Sequence, residues 1–118
     1  MNTARGQAVL ASVIVAGLGW HPAQAADRLY VYNMTTATEF KGVYLAPAGT
    51  TNWGANQALN DKDHSLDVSE RLAITGLSRG RFDVRLQDDK GRTCLKRGVD
   101  LTKDASFEIR EEDLATCH

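Results

Sequence analysis

Residues 81–87 alternate without a fault: Phe82, Val84 and Leu86 are apolar, while Arg81, Asp83, Arg85 and Gln87 are polar or charged. Successive side chains of a strand point to opposite faces, so this spacing predicts a strand with one buried and one wet face. A helix would scatter the three apolar groups around its axis. Asp88-Asp89-Lys90-Gly91 follows. Aspartate opens reverse turns and glycine accepts the positive φ at their end, so residues 92–99 are expected to return as the antiparallel partner of a hairpin. A two-residue loop at Asp89-Lys90 sets Asp83 opposite Lys96, an attractive cross-strand pair. A bulged turn changes that register, and the sequence leaves both open.

The rest of the chain carries the same grammar. Residues 28–34 are rich in aromatic and β-branched side chains, and residues 39–46 form a second such run, stopped by Pro47 and Gly49. Residues 47–56 are dense in turn formers and predict a loop around Trp53. Leu66, Val68, Leu72 and Ile74 recur at even positions, interrupted by Glu70, which predicts an extended segment through Thr75. Phe107 and Ile109 share one side of a strand over 106–110, and the tail 111–118 is either a helical turn or a frayed end. Short strands, frequent turns and no amphipathic helix of ordinary length predict an all-β fold: a small antiparallel β-sandwich or open barrel of about six to seven strands.

Arg5 precedes an uncharged apolar run, residues 8–18. That run is shorter than the roughly 20 residues needed to span a bilayer and has the length of a signal-peptide core. Gly19, Trp20, His21 and Pro22 end it, and Ala23-Gln24-Ala25 offers small residues to a signal peptidase, so cleavage is expected between Ala25 and Ala26. The domains are then a signal peptide, 1–25, and a single β-sandwich-like domain, 26–118. The expected location is the periplasm or the medium, with no stable membrane insertion after cleavage; an uncleaved anchor is the alternative. The mature part keeps 13 basic residues against 15 acidic, a net charge of −2. It lacks the basic excess that nucleic-acid binding requires.

Both cysteines, Cys94 and Cys117, lie in the mature part. In an oxidising compartment a pair of thiols tends to join. The bridge would close a loop of about 24 residues and contribute roughly 3 kcal/mol in the chain-entropy model. Two unpaired thiols are the alternative. Their wide separation is unlike the C-x-x-C of a redox-active pair.

Trp53, flanked by Asn52 and Gly54, has two readings. It is either an exposed aromatic for a sugar or a partner, making 52–54 a binding loop, or a plug over the open end of the sandwich, which a domain short of large apolar groups needs. The plug is the expectation. Asp61, Asp63, Ser65 and Asp67 place oxygen ligands at alternate positions, as a calcium loop does, but Leu66 and Leu72 stand where an EF-hand has Gly and Glu; a solvated acidic loop is the plainer reading. His64 has no neighbouring His or Cys to share a zinc ion, and no serine lies in a G-x-S-x-G turn. Neither catalytic residues nor a cofactor are expected. Arg79, Arg81, Arg85, Arg92, Lys96 and Arg97 concentrate positive charge on one hairpin. They could meet an anionic glycan or lipid headgroup, although Asp83, Asp88 and Asp89 interleave with them to make a mixed, soluble face.

Val43-Tyr44-Leu45-Ala46-Pro47, Trp53-Gly54 with Leu59, Phe82-Asp83-Val84-Arg85, and Gly98-Val99-Asp100-Leu101 occur together in this order. The combination resembles a family of small secreted bacterial β-domain proteins of unknown role with a strand-Pro-loop-Trp-Gly motif. Some members carry the label argininosuccinate lyase, yet the long, helical, oligomeric lyase of that name shares none of these motifs. Members often have a Cys after the Val-Asp-Leu segment, where this chain has Thr102. The resemblance implies no catalytic residues. The expected function is an exported, non-enzymatic binding or accessory module of the cell envelope, its partner a protein or envelope ligand. A small periplasmic hydrolase or lyase and a calcium-binding module through 61–67 are the alternatives.

Overall fold

The computed structural model describes residues 28–118; the expected signal peptide, 1–25, and the expected cleavage point between Ala25 and Ala26 lie outside the described residues. Six strands run in the order β1 (Leu29–Asn33), β2 (Phe40–Pro47), β3 (Arg71–Ile74), β4 (Arg81–Asp88), β5 (Thr93–Asp100) and β6 (Ser106–Ile109). They form two three-stranded sheets, β3-β1-β6 and β2-β4-β5. The fold is the small all-β domain that the alternation predicts. Its one departure from antiparallel pairing is β6, which lies parallel to β1, with Val31 beside Phe107. Val31 and Ile109 of the first sheet and Val43, Val84 and Leu86 of the second are fully buried in one apolar cluster between the sheets. No helix among the described residues is long and apolar enough to cross a membrane.

The expected extended segment 66–75 is two pieces. Leu66 bridges Phe40 at the start of β2, through reciprocal backbone bonds of 3.1 and 2.8 Å, whereas Arg71–Ile74 pairs with β1 in the other sheet. Between them the chain turns: Ser69 sits at φ 66°, and Glu70 accepts the Asp67 N–H on its side chain. The period-2 pattern survives because both pieces face the same core. Asn33 holds the crossover from β1 to β2. Its side-chain amide donates to the carbonyls of Thr38 and Leu66, and its oxygen accepts from the Thr35 N–H and hydroxyl. Every polar atom of this fully buried amide is satisfied.

The hairpin takes the bulged turn. Asp88 N–H donates to the Arg92 carbonyl, and Gly91 adopts φ 82°. Gln87 therefore faces Thr93 and Leu86 faces Cys94. The same extra residue sets Lys96 opposite Val84 instead of Asp83, and a second bulge, with Gly98 at φ 69°, shifts the register again so that Phe82 faces Val99. Lys96 turns to the tail and binds both carboxylate oxygens of Asp113 at 3.0 Å. Asp88 braces the turn. Burial pushes its carboxyl up, but hydrogen bonds from the backbone and side chain of Arg92 and the backbone of Lys90 outweigh that and hold its pKa below the ordinary aspartate value.

The tail is ordered. A 3-10 helix, Glu111–Thr116, leads into a disulfide between Cys117 and Cys94. Thr93 and His118 exchange backbone hydrogen bonds, and the Thr116 hydroxyl accepts from Leu95 N–H and donates to the Leu95 carbonyl. The first half of β5, an open sheet edge, is thus covered.

Candidate functional site

The loop after β2 folds back along that strand's free edge. Gly54 N–H donates to the Leu45 carbonyl at 2.9 Å. The Asn56 side chain accepts from Val43 N–H and donates to the Lys41 carbonyl, both at 3.0 Å. These bonds hold the loop outside the sheet, so Trp53 does not enter the core. Its indole is half-buried and absent from the apolar cluster, whose members outside the strands are Ala58, Leu66 and Leu101. The expected plug is therefore corrected: Trp53 lies on the outer face of β2-β4-β5.

There it meets Arg85. Tyr44 and Arg85 are cross-strand partners on β2 and β4. The guanidinium carbon of Arg85 lies over the Tyr44 ring, 4.6 Å from its centroid, and over the Trp53 ring at 5.0 Å. Gly42 leaves room for this arrangement. A β-carbon there would stand 2.8 Å from Cε2 of Tyr44 and 2.9 Å from Oε1 of Gln87, so a larger residue would displace the ring. The face that alternation marks as wet is thus partly roofed: Arg85 is half-buried and Asp83 only 4% exposed.

Apart from Lys90, exposed at the turn, five of the hairpin's other six cations are engaged with oxygen atoms. Arg81 pairs with Asp100, Arg92 with Asp88, Lys96 with Asp113 and Arg97 with Asp83, and Arg79 donates to the carbonyls of Leu101 and Asp104. Arg85 is the exception, with neither carboxylate nor carbonyl on its side chain among the described residues. Its Nε is enclosed and has no acceptor. A buried donor left unmade costs about 1–3 kcal/mol, and each ring contact returns about 0.5–1 kcal/mol. The aromatic pair holds the cation without using its hydrogen-bonding capacity.

Asp83 anchors the surroundings. Its carboxylate accepts from Gly49 N–H at the base of the Trp53 loop and from Gly98 N–H at the β5 bulge. Those two hydrogen bonds, with Arg97 nearby, outweigh its desolvation and hold its pKa below the ordinary aspartate value. One side chain thereby fixes both flanks of the Arg85 face.

The other residues singled out in the sequence do not assemble. Asp61 accepts from Asp63 N–H, and Asp67 accepts from the Ser65 hydroxyl, which points inward. No three His, Cys, Asp or Glu among the described residues gather as a metal site. His64 and His118 are exposed, and both cysteines are used in the disulfide. A cleft of about 430 Å³ lies on the other sheet, beside Leu29, Ile74 and Leu77. Its wall includes Arg28, where the described chain begins, and none of the groups above reaches it. Comparison with family models, curated proteins and solved structures finds no match. The site rests on its own geometry. Sequence reasoning grouped Arg85 with five other cations. The signal that separates it is the Tyr44 partner, legible only once the pairing of β2 with β4 is known.

Proposed function

We propose that the chain is an exported, non-enzymatic β-domain that serves as a binding or accessory module of the bacterial cell envelope, and that its contact surface is the outer face of β2-β4-β5 around Asn52, Trp53 and Gly54. The observation that carries this reading is Arg85: a guanidinium set against two half-buried aromatic rings and left without an anion of its own. Arg81, Arg92, Lys96 and Arg97 of the same hairpin are each paired with a carboxylate. The Cys94–Cys117 disulfide supports an oxidising compartment, and the N-terminal apolar run with its Ala-Gln-Ala step supports export.

The test is site-specific photo-crosslinking in living bacteria. A photoreactive side chain at Asn52 is expected to yield a discrete adduct that disappears when Arg85 is changed to Gln. The same group at Lys62, an exposed position in the acidic loop, is expected to yield none. Adducts from both positions alike, or from neither, would overturn the assignment of this face.

A further inference from the structure

We infer that the Arg85 site takes a carboxylate carried on a sugar ring, as in a uronic-acid oligosaccharide; the inference rests on the contact surface proposed above and specifies its ligand. The charge argument comes first. Phosphate and sulfate sites gather several cations or backbone N–H groups around one anion. Here Arg81, Arg92, Lys96 and Arg97 are already bound to Asp100, Asp88, Asp113 and Asp83. That leaves a single guanidinium, whose charge matches the single charge of a carboxylate. The shape argument agrees. A guanidinium carries its N–H donors in its own plane and offers them in a fork that fits the two oxygens of a carboxylate. Tyr44 and Trp53 place their rings 4.6 and 5.0 Å from the guanidinium carbon, and neither ring takes up an N–H donor of the fork, none of which has an acceptor among the described residues.

The aromatic argument names what carries the carboxylate. Trp53 remains half-exposed beside the cation, in a loop whose other exposed residues include Thr51, Asn52 and Gly54. Indole packs well on the C–H face of a sugar, and short amide and hydroxyl side chains suit its hydroxyl groups. An aliphatic or lipid partner would call for a broader apolar surface. The only large hydrophobic side chains exposed among the described residues are Met34 and Leu59, which belong to other segments. The geometry also presets the response. Nε of Arg85 has no acceptor in the free protein and its guanidinium contacts the Trp53 ring, so the indole and the guanidinium should report the same event.

The experiment is ¹⁵N–¹H NMR on protein recovered from the periplasm or medium, titrated separately with a galacturonic-acid trimer, a neutral galactose trimer, inorganic phosphate and an unblocked tripeptide. Expected are saturable shifts of the Arg85 Nε–H and Trp53 indole N–H signals with the acidic trimer, and at least about tenfold weaker responses with the other three. The Nε–H of Arg71, whose guanidinium carbon lies over Tyr30 on the opposite sheet, serves as an internal control and should stay still. Arg85→Lys keeps the charge but loses the fork, and should weaken the acidic trimer about tenfold or more while leaving the melting temperature close to that of the parent. Equal shifts with the neutral trimer would overturn the carboxylate while leaving the contact surface standing. Equal shifts with phosphate or the tripeptide would overturn the sugar carboxylate in favour of general anion capture. No shift with the acidic trimer, in protein that still gives the Asn52 adduct, would overturn the inference alone; loss of that adduct as well would take the proposed surface with it.

Discussion

Reducing the disulfide isolates one contribution to stability. Cys94 is 1% exposed and sits in the core cluster, while Cys117 packs against it from the tail. A free thiol behaves as a small apolar group, so reduction cuts the cross-link without opening a cavity. The bridged residues are 23 apart. Closing a loop of about 24 residues removes unfolded-state entropy worth roughly 3 kcal/mol at 25 °C. With urea slopes of about 1–3 kcal/mol/M, the midpoint of unfolding should fall by about 1–3 M on addition of a phosphine reductant. The reduced tail keeps its Lys96–Asp113 pair, the Thr116–Leu95 bonds and the Thr93–His118 exchange. The reduced state should therefore still be folded, with faster amide exchange at Thr93 and Leu95 than at Leu86. Two titratable thiols in the unreduced, denatured protein would refute the bridge. Midpoints equal within about 0.3 M would refute the entropic reasoning.

Acid should destabilise the domain below about pH 3.8, the ordinary aspartate value. Asp83, Asp88 and Asp100 all have pKa values lower in the folded chain, so their contribution is complete above 3.8 and is lost as pH falls through the depressed values. A flat stability profile down to pH 2 would contradict this. Trp53→Ala should cost less than Leu86→Ala, for which truncation of a buried leucine implies about 2–5 kcal/mol; melting curves in the reverse order would return Trp53 to the core. Gly91→Ala should cost about 1–2 kcal/mol, since nothing lies within 4 Å of a β-carbon there and the penalty is that of a positive φ alone. Intact mass of the exported protein should begin at Ala26, and retention of residues 1–25 would overturn the domain boundary.

The strands were legible because the core is narrow. Each strand presents alternate side chains to one apolar layer, and Phe82, Val84 and Leu86 announce that layer directly. What alternation does not carry is the partner. The residues around Leu66 and those around Leu72 obey one period, yet they join different sheets, because Glu70 and Ser69 turn the chain between them without changing which side faces inward. The parallel placement of β6 beside β1 is likewise silent in the sequence, since its two inward residues would read the same in either direction.

The site was hidden by a different cause. In sequence, Trp53 is a large apolar group in a polar loop, and burial is the natural destination for such a group in a small domain. The backbone decides otherwise: β2 is an edge strand, its free carbonyl and N–H groups need partners, and Gly54 and Asn56 supply them. A loop committed to the edge of β2 carries its indole to the sheet's outer face, and on that face the cross-strand pair of Tyr44 and Arg85 is waiting. The hairpin adds the second half of the argument. One extra residue in its turn and one bulge at Gly98 redirect Lys96 to Asp113 and leave Asp83 to Arg97 and two backbone amides. Asp83 and Asp88, two of the carboxylates interleaved with the hairpin's cations, are thereby engaged with neighbours other than Arg85. Edge satisfaction and register together, rather than residue type, leave this arginine between two rings and without an acceptor among the described residues.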